Sequence, residues 1–436
     1  MKSRYIKQAW TMLMQNKLFS TLYIIGTGLA IAMSMIIFMF HYIKVAPIYP
    51  ENNRNQIYIL KSVTLKNTKD NWQTNWRSSY YLVQNWWYTI QSTEKVSAEY
   101  NHWSTKDYIQ ITSPNNKNYS DNIKVKVKYT DPKFFEVFNF DFKEGTPFSR
   151  EDFESGVMNA VITESTAKRL FGILKAQGKR FSLNFNEYRV AGVVKDASIL
   201  TPNSFAQIYL PYTICRGYDK DNDNNVTGGY TVYFKIKNKE QGTALEKETN
   251  ELVRKYNASM KDSELTLGGP DIHWKSTYRR GNQPLDFSRI VSDWGMLVFM
   301  FLLVPALNLI GMISFRMESR LPEMGIQKAF GATKKHLLLQ VLNENLILTC
   351  IGGLLGLIIA WTTLVIGRNW VFTMFEKYGE KAPEGVDTII RADMLFSPVL
   401  FIIAFTLCAL LNLGAALIPA WRSLRKNIVY SLNQKK

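Results

Sequence analysis

The sequence predicts a membrane protein with an α-helical domain of four spans, arranged as one plus three. A large α+β domain of two lobes is inserted between the first and second spans. Four windows of 21 to 24 residues contain no Asp, Glu, Lys or Arg. A polar stretch of 250 residues, Lys44–Asp293, lies between the first window and the second. Basic residues are concentrated in only some of the segments that flank the windows.

The four uncharged windows are long enough to cross a bilayer, because about 20 apolar residues in a helix span its hydrocarbon core. Core helices of a soluble protein are the alternative, but they rarely stay uncharged over such lengths. The first window exceeds the roughly 7–15-residue apolar region of a signal peptide, and no clear cleavage site closes it. An uncleaved anchor is therefore favoured there. The windows are Phe19–Tyr42, Trp294–Phe315, Leu346–Ile366 and Phe396–Ile418.

The distribution of basic residues predicts that both termini are cytoplasmic. Segments 1–18, 316–345 and 419–436 together contain fourteen Lys and Arg residues, whereas segment 367–395 has a net charge of −1. Short cytoplasmic flanks are enriched in Lys and Arg. The net charge of +17 is therefore explained by membrane topology and contact with anionic lipid headgroups. No nucleic-acid-binding module is recognised.

The windows and their flanks predict the following order of segments. It comprises a cytoplasmic segment 1–18, span 19–42, an outward domain with stalks 43–293, span 294–315, a cytoplasmic loop 316–345, span 346–366, an outward loop 367–395, span 396–418 and a cytoplasmic tail 419–436.

Within the outward domain, apolar alternation and turn residues predict both strands and helices. The predicted strands are Ile57–Leu60, Tyr108–Ile111, Ile123–Tyr129, Ala160–Thr163, Tyr188–Val194, Ile208–Leu210 and Tyr230–Ile236. The predicted helices are Ser78–Thr93, Glu164–Phe171 ended by Gly172, and Gln241–Tyr256.

The sequence predicts no catalytic residue, metal site or bound cofactor. The three cysteines and four histidines are scattered and form no motif with metal-ligand spacing. The segment Gly172–Arg180 approaches a phosphate-binding loop, but it has one residue too many between its glycines. Arg180 also replaces the Ser or Thr that would bind magnesium. We therefore expect no ATPase activity from this chain.

The third window contains small residues at helical spacing, which allow two membrane helices to approach closely. Chance is the alternative, because glycine is common in membrane helices. The spacing does not show whether such a seam lies within one chain or between two. The residues are Gly352, Gly353, Gly356 and Ala360.

The cytoplasmic loop predicts a short helix. Pro322 suits a helix start, Glu323 favours its first turn, Lys328 favours its last turn, and Gly331 follows. Such a helix is too polar to span the membrane. An interfacial helix lying on lipid is the alternative.

Three groups of motifs resemble the MacB/FtsX-type permeases of ABC transporters, the type VII or mechanotransmission class. Glu323–Ala332 is similar to the family's E-x-G-[IL]-x-[RK]-A-x-G-A loop, and Pro419–Arg422 to the motif closing its last span. Asn427-Ile428 departs from the Asp-Pro of many relatives. Five further segments resemble the family's periplasmic core domain. They are Tyr129–Phe138, Gly145–Phe148, Ala160–Glu164, Ala167–Gly172 and Val190–Asp196.

The resemblance implies that the cytoplasmic helix docks on a separate ATPase subunit, which uses ATP and magnesium. Met324 and Ile326 would be apolar anchors, and Lys328 an ion-pair partner. A second permease, identical or different, is implied as well. The implied coupling residues are Glu323, Met324, Gly325, Ile326, Lys328, Ala329, Gly331 and Ala332.

The same resemblance implies a bacterial inner-membrane protein whose large domain is periplasmic. The expected function is to relay ATP-driven motion for export or extraction of a periplasmic drug, peptide or lipoprotein. A periplasmic adaptor and an outer-membrane channel are then expected partners. The alternative is an FtsX-like regulator that activates a periplasmic cell-wall hydrolase without transport. A membrane-anchored sensor is disfavoured, because no signalling domain is recognised.

Overall fold

The structure, a computed structural model, describes residues 17–70, 72–102, 107–112, 120–220, 226–279, 281–367 and 397–425. This part of the chain separates into two compact units. Residues 17–42, 287–367 and 397–425 belong to the first, which we call the helical unit. The second, which we call the insert domain, contains Ile43–Asp286.

The α-helices are numbered in chain order. They are α1 Lys17–Val45, α2 Tyr80–Asn85, α3 Phe134–Val137, α4 Arg150–Glu154, α5 Glu164–Phe171, α6 Lys239–Ser259, α7 His273–Tyr278, α8 Phe287–Ser319, α9 Leu321–Ala329, α10 Lys334–Ile366 and α11 Pro398–Arg425. Short 3-10 helices cover Arg54–Gln56, Trp87–Thr89 and Tyr212–Ile214.

In the described residues, three helices are long and apolar enough to cross a membrane. They are Ser20–Val45 within α1, then α10 and α11. Helix α8 is 33 residues long and contains the remaining uncharged window, Trp294–Phe315. The count of four spans and their one-plus-three arrangement stay predictions, as do the segment boundaries. The predicted outward loop 367–395 lies almost wholly outside the described residues.

The insert domain is a mixed α/β domain whose strands join one hydrogen-bonded sheet. The neighbour order along its main path is β15-β2-β3-β14-β4-β7-β12-β9-β11-β10-β5-β6, and β1, β8, β13 and β16 pair off this path. The division into two lobes stays a prediction. The strands are β1 Ile57–Leu60, β2 Val63–Asn67, β3 Gln73–Ser78, β4 Lys95–Tyr100, β5 Asp107–Thr112, β6 Ser120–Val125, β7 Val127–Thr130, β8 Phe142–Gly145, β9 Asn159–Thr163, β10 Arg180–Leu183, β11 Asn186–Val194, β12 Ile208–Pro211, β13 Thr227–Gly228, β14 Tyr230–Lys235, β15 Ser263–Leu267 and β16 Asp271–Ile272.

Most predicted elements of the insert domain are confirmed, but the helix predicted over Ser78–Thr93 is shorter. Helix α2 ends at Asn85, and a 3-10 turn follows over Trp87–Thr89. The indole N–H of Trp87 donates to the Ser78 hydroxyl at 2.7 Å, and the ring is fully buried. Burial of this large side chain in the core outweighs continuation of the regular helix.

The strand predicted over Ile123–Tyr129 is two strands, because the chain changes neighbours at Lys126. The backbone N–H of Lys126 donates to the Gln207 side chain at 2.9 Å. Strand β6 then pairs with β5, whereas β7 pairs with β4 and β12. The next lysine, Lys128, is buried and forms an ion pair with Glu99 at 2.5 Å.

Helices α1 and α10 approach closely where glycines replace larger side chains. A Cβ atom at Gly356 would lie 2.6 Å from the carbonyl oxygen of Gly28 on α1. One at Gly352 would lie 3.0 Å from the carbonyl oxygen of Ile24. The backbones of two helices can meet this closely only when side chains are absent.

The other two small residues of α10 are also at internal contacts. A Cβ atom at Gly353 would lie 2.7 Å from the ring of Phe405 on α11. Ala360 is fully buried in a cluster with Ala32, Met35 and Ala404. These contacts of the small residues therefore lie within one chain.

A buried ion pair lies at the start of the insert domain, close to residues 43–46. The Arg54 Nε donates to the Glu51 carboxylate at 2.8 Å, and both side chains are almost completely buried. Arg54 Nη1 also donates to the carbonyl oxygens of Ile43 and Ala46, at 2.7 and 2.8 Å. These carbonyls belong to the C-terminal end of α1, where intrahelical donors are lacking.

The Glu51 carboxylate has partners from distant parts of the insert domain. Its Oε1 accepts hydrogen bonds from the backbone N–H and hydroxyl of Ser204, both at 3.0 Å. Its Oε2 lies 3.0 Å from Nε2 of His273, the first residue of α7. Burial disfavours the charged form, but Arg54 and His273 outweigh it and lower the pKa of Glu51 to about 2.

We expect Glu51→Gln to destabilise the insert domain by about 3 kcal/mol at neutral pH, because Arg54 loses its buried counter-ion. The wild-type carboxylate titrates at about 2 when folded and about 4.5 when unfolded. Its contribution is therefore complete above about pH 4.5 and lost as the pH falls toward 2. Hydrogen–deuterium exchange of the α7 amides in the full-length protein measures the destabilisation by Glu51→Gln and the loss of wild-type stability at low pH.

Glu154→Gln is the matched control, because Glu154 forms an exposed ion pair with Arg150. It should change stability by less than about 0.5 kcal/mol. Equal protection of α7 in wild type and Glu51→Gln at pH 7 would contradict the assignment.

Gly356→Ala should destabilise the helical unit by about 1–3 kcal/mol, because its methyl group would overlap the Gly28 carbonyl. Thermal unfolding in detergent, followed by helical circular dichroism, measures this loss. Gly26→Ala on α1 is the control, since a Cβ atom there meets nothing within 4 Å. Indistinguishable unfolding curves for the two variants would count against the close contact.

Candidate coupling site

The structure confirms a short helix, α9, in the loop that was predicted to be cytoplasmic. Pro322 lies in its first turn with Glu323, and Lys328 lies in its last turn. The two charges complement the helix dipole. Gly331 follows with φ of +91°, in the left-handed region that favours glycine. The turn then leads to Thr333, whose hydroxyl caps α10 by accepting the His336 N–H at 3.2 Å.

The start of α9 is attached to α10 through Arg320. Its Nη1 donates to the Glu344 carboxylate at 2.8 Å, and its Nε to Glu323 at 3.2 Å. Glu344 is buried, so this pair is shielded from solvent. Burial of the guanidinium opposes its charge, but Glu344 and Glu323 prevail and raise the pKa of Arg320. Arg320 and Glu344 thereby fix the orientation of the helix start.

One face of α9 is buried and the opposite face is exposed. Met324 and Gly325 are buried, and Met324 packs in a cluster with Leu337. In contrast, Ile326 is 50% exposed and Phe330 is 88% exposed. Met324 was expected to be an apolar anchor for the ATPase, but its side chain points into the helical unit. The exposed apolar side chains are Ile326 and Phe330.

The end of α9 is attached to α11. The ammonium group of Lys328 donates to the backbone carbonyl of Leu424 at 2.8 Å. Burial, with a smaller effect from Lys334, lowers the pKa of Lys328. Lys328 was expected to form an ion pair with the ATPase, whereas here it binds a carbonyl near the C-terminal end of α11.

The other predicted coupling residues lie around this helix. The Glu323 side chain is about half exposed, at 48%. Ala329 and Gly331 are exposed, and Ala332 is half-buried against the same cluster as Met324. Phe330 was not among the predicted residues. Its spacing of four from Ile326, which places both on one helix face, was the signal for it.

Comparisons with known proteins agree with this architecture. The chain matches the family model of the MacB-like periplasmic core domain over residues 20–252. It matches that of the FtsX-like permease C-terminal domain over residues 295–428. The first match alone covers more than half of the chain.

Three curated relatives illustrate the similarity. The chain is 23% identical to the macrolide export ATP-binding/permease protein MacB of Mannheimia succiniciproducens, over 63% of this chain and 41% of that protein. It is 24% identical to the ABC transporter permease YknZ of Bacillus subtilis, over 51% of this chain and 53% of that protein. It is 27% identical to the pyoverdine export ATP-binding/permease protein PvdT of Pseudomonas fluorescens, over 54% of this chain and 34% of that protein.

The chain spans about half the length of these relatives or less. Both domain matches confirm the resemblance that the motifs predicted. The FtsX-like match lies in the helical unit, whereas the MacB-like match begins on α1 and covers most of the insert domain. The chain therefore belongs to the MacB/FtsX-type permeases of ABC transporters, with a MacB-like periplasmic core domain and an FtsX-like permease domain.

Proposed function

We propose that this chain is a permease subunit that relays ATP-driven motion of a separate cytoplasmic ATPase to its periplasmic insert domain. The observation that supports this proposal is an exposed apolar pair, Ile326 on α9 and Phe330 directly after its last residue. The opposite face of the same helix packs through Met324 against the helical unit. A helix fixed on one face and apolar on the other is suited to receive a partner and pass on its movement.

The exposed phenyl ring is the proposed anchor of the ATPase. An aromatic side chain with 88% of its surface exposed gains free energy when a partner covers it. Interface hot spots are enriched in aromatic residues for the same reason. The alternative, an interfacial helix on lipid, would leave this ring in the bilayer and is an outcome of the test below.

The proposal includes the partners and cargo that the family resemblance implies. The ATPase would hold ATP and magnesium on its own chain, and two permeases would act together as a homo- or heterodimer. We favour export of a periplasmic drug or peptide, or extraction of a lipoprotein, with an adaptor and an outer-membrane channel. Two of the relatives are named as export proteins, so regulation of a cell-wall hydrolase is not favoured.

Phe330→Ala should weaken binding of the ATPase by about 2 kcal/mol, or about thirtyfold, because the ring is the central apolar contact. Folding should be unaffected, since the side chain is exposed. The measurement uses the full-length permease in nanodiscs and an ABC ATPase purified from the same cells. Affinity is read by thermophoresis, and coupling by the permease-stimulated rate of ATP hydrolysis.

Phe287→Ala is the matched control. Phe287 is 62% exposed and begins α8 on the predicted periplasmic side, so its loss should leave ATPase binding unchanged. Equal affinities of wild type and Phe330→Ala would refute the anchor, and an ATPase that binds neither would refute the proposed function. Protection of Phe330 by lipid alone, without any ATPase effect, would favour the interfacial helix.

A further inference from the structure

The insert domain contains a cavity with a concentrated positive charge. Its volume is about 400 Å³, within the range of roughly 300–1,000 Å³ typical of small-molecule sites. It is formed where the link between β1 and β2, strand β3 and the segment after α7 meet. Among the described residues that line it, three are basic and none is acidic. The lining includes Lys61, Ser62, Asn75, Trp76, Arg77 and Arg279.

One of the three cations is already neutralised. Arg279 forms a two-pronged ion pair with Asp271, in which Nη2 donates to Oδ1 at 2.9 Å. Its Nη1 donates to the carbonyl of Gln283 at 2.7 Å. Arg279 is therefore held in place and contributes little net charge.

The other two basic side chains have no ion pair among the residues that the structure describes. The ammonium group of Lys61 donates to the carbonyl of Ser276 at 3.1 Å, which uses one of its three N–H bonds. Arg77 is exposed, and its guanidinium has no hydrogen bond with any residue that the structure describes. Burial lowers the pKa of Lys61, with a smaller effect from Arg77 in the same direction, while Glu51 and Asp271 oppose the shift. An anion placed between Lys61 and Arg77 would offset the repulsion between these two groups.

The wall beside these charges is aromatic. Trp76 precedes Arg77 on β3, and its side chain is 43% exposed. An indole face provides a broad apolar surface for a flat ring. The amide of Asn75 supplies a further polar group at the rim. The cavity thus combines two cations with one apolar wall.

We propose that this cavity binds a small organic anion, with its carboxylate, phosphate or sulfate group between Lys61 and Arg77. The flat apolar body of the ligand lies against Trp76. Charge-assisted hydrogen bonds from the guanidinium and ammonium groups give affinity for the anionic group. The proposal concerns binding to the insert domain alone and does not rest on coupling to an ATPase.

The test uses 1-naphthoate as the anionic probe and 1-naphthamide as its neutral counterpart. Isothermal titration is performed on the full-length protein in nanodiscs of neutral lipid, with empty nanodiscs subtracted and no ATPase present. We expect naphthoate to bind at least about tenfold more tightly than the amide. Raising the salt concentration should weaken naphthoate binding and leave amide binding unchanged.

Arg77→Gln removes one proposed ligand and should weaken naphthoate binding about tenfold. It is expected to fold, because Arg77 is exposed and unpaired within the described chain. Arg254→Gln is the matched control, since Arg254 is an exposed arginine of α6. It should bind as wild type does. Trp76→Leu should weaken binding of both probes.

Equal affinity for naphthoate and naphthamide would overturn the proposal. So would binding of naphthoate that Arg77→Gln leaves unchanged, or no binding by wild type at millimolar probe. Because no ATPase takes part, these results are separate from the test of coupling. A permease that couples normally but binds no anion would refute this inference alone.

Discussion

The ion pair of Glu51 and Arg54 is the constraint on which the arrangement of the insert domain depends. Two opposite charges can stay buried only when each has a full set of hydrogen-bond partners. Those partners come from the end of α1, from the segment containing Ser204 and from the start of α7. Segments far apart in the chain must therefore meet at one point before either charge is satisfied. The ion pair thus specifies where these segments of the insert domain meet, as well as stabilising their contact.

Sequence reasoning succeeded where the signal was local. An uncharged window such as Leu346–Ile366 indicates burial, because neither a bilayer nor a protein core readily accepts charge. Its length is that of a helix that spans a bilayer. The strand Ile57–Leu60 was predicted at its observed bounds because it is short, apolar and bounded by polar residues. The burial of Lys128 could not be predicted in this way. Its burial depends on Glu99 from a distant strand, and no local pattern reveals such a partner.

The candidate site was predictable in its place but not in its orientation. Proline, charge and glycine signals predicted the short helix, and the motif resemblance implied a coupling role for it. Which face turns inward depends on packing with α10 and α11, so Met324 and Lys328 could not be assigned from sequence. The cavity beside Arg77 could not be predicted either. Its basic residues, Lys61, Arg77 and Arg279, are far apart in the sequence, and only the folded insert domain brings them together.

The two attachments of α9 have a mechanical consequence. Its first residues are linked through Arg320 to α10, and its last turn through Lys328 to α11. A helix attached at one end could rotate about that attachment, but α9 is attached at both ends and cannot rotate freely about either. Any force on its exposed side is therefore shared between α10 and α11.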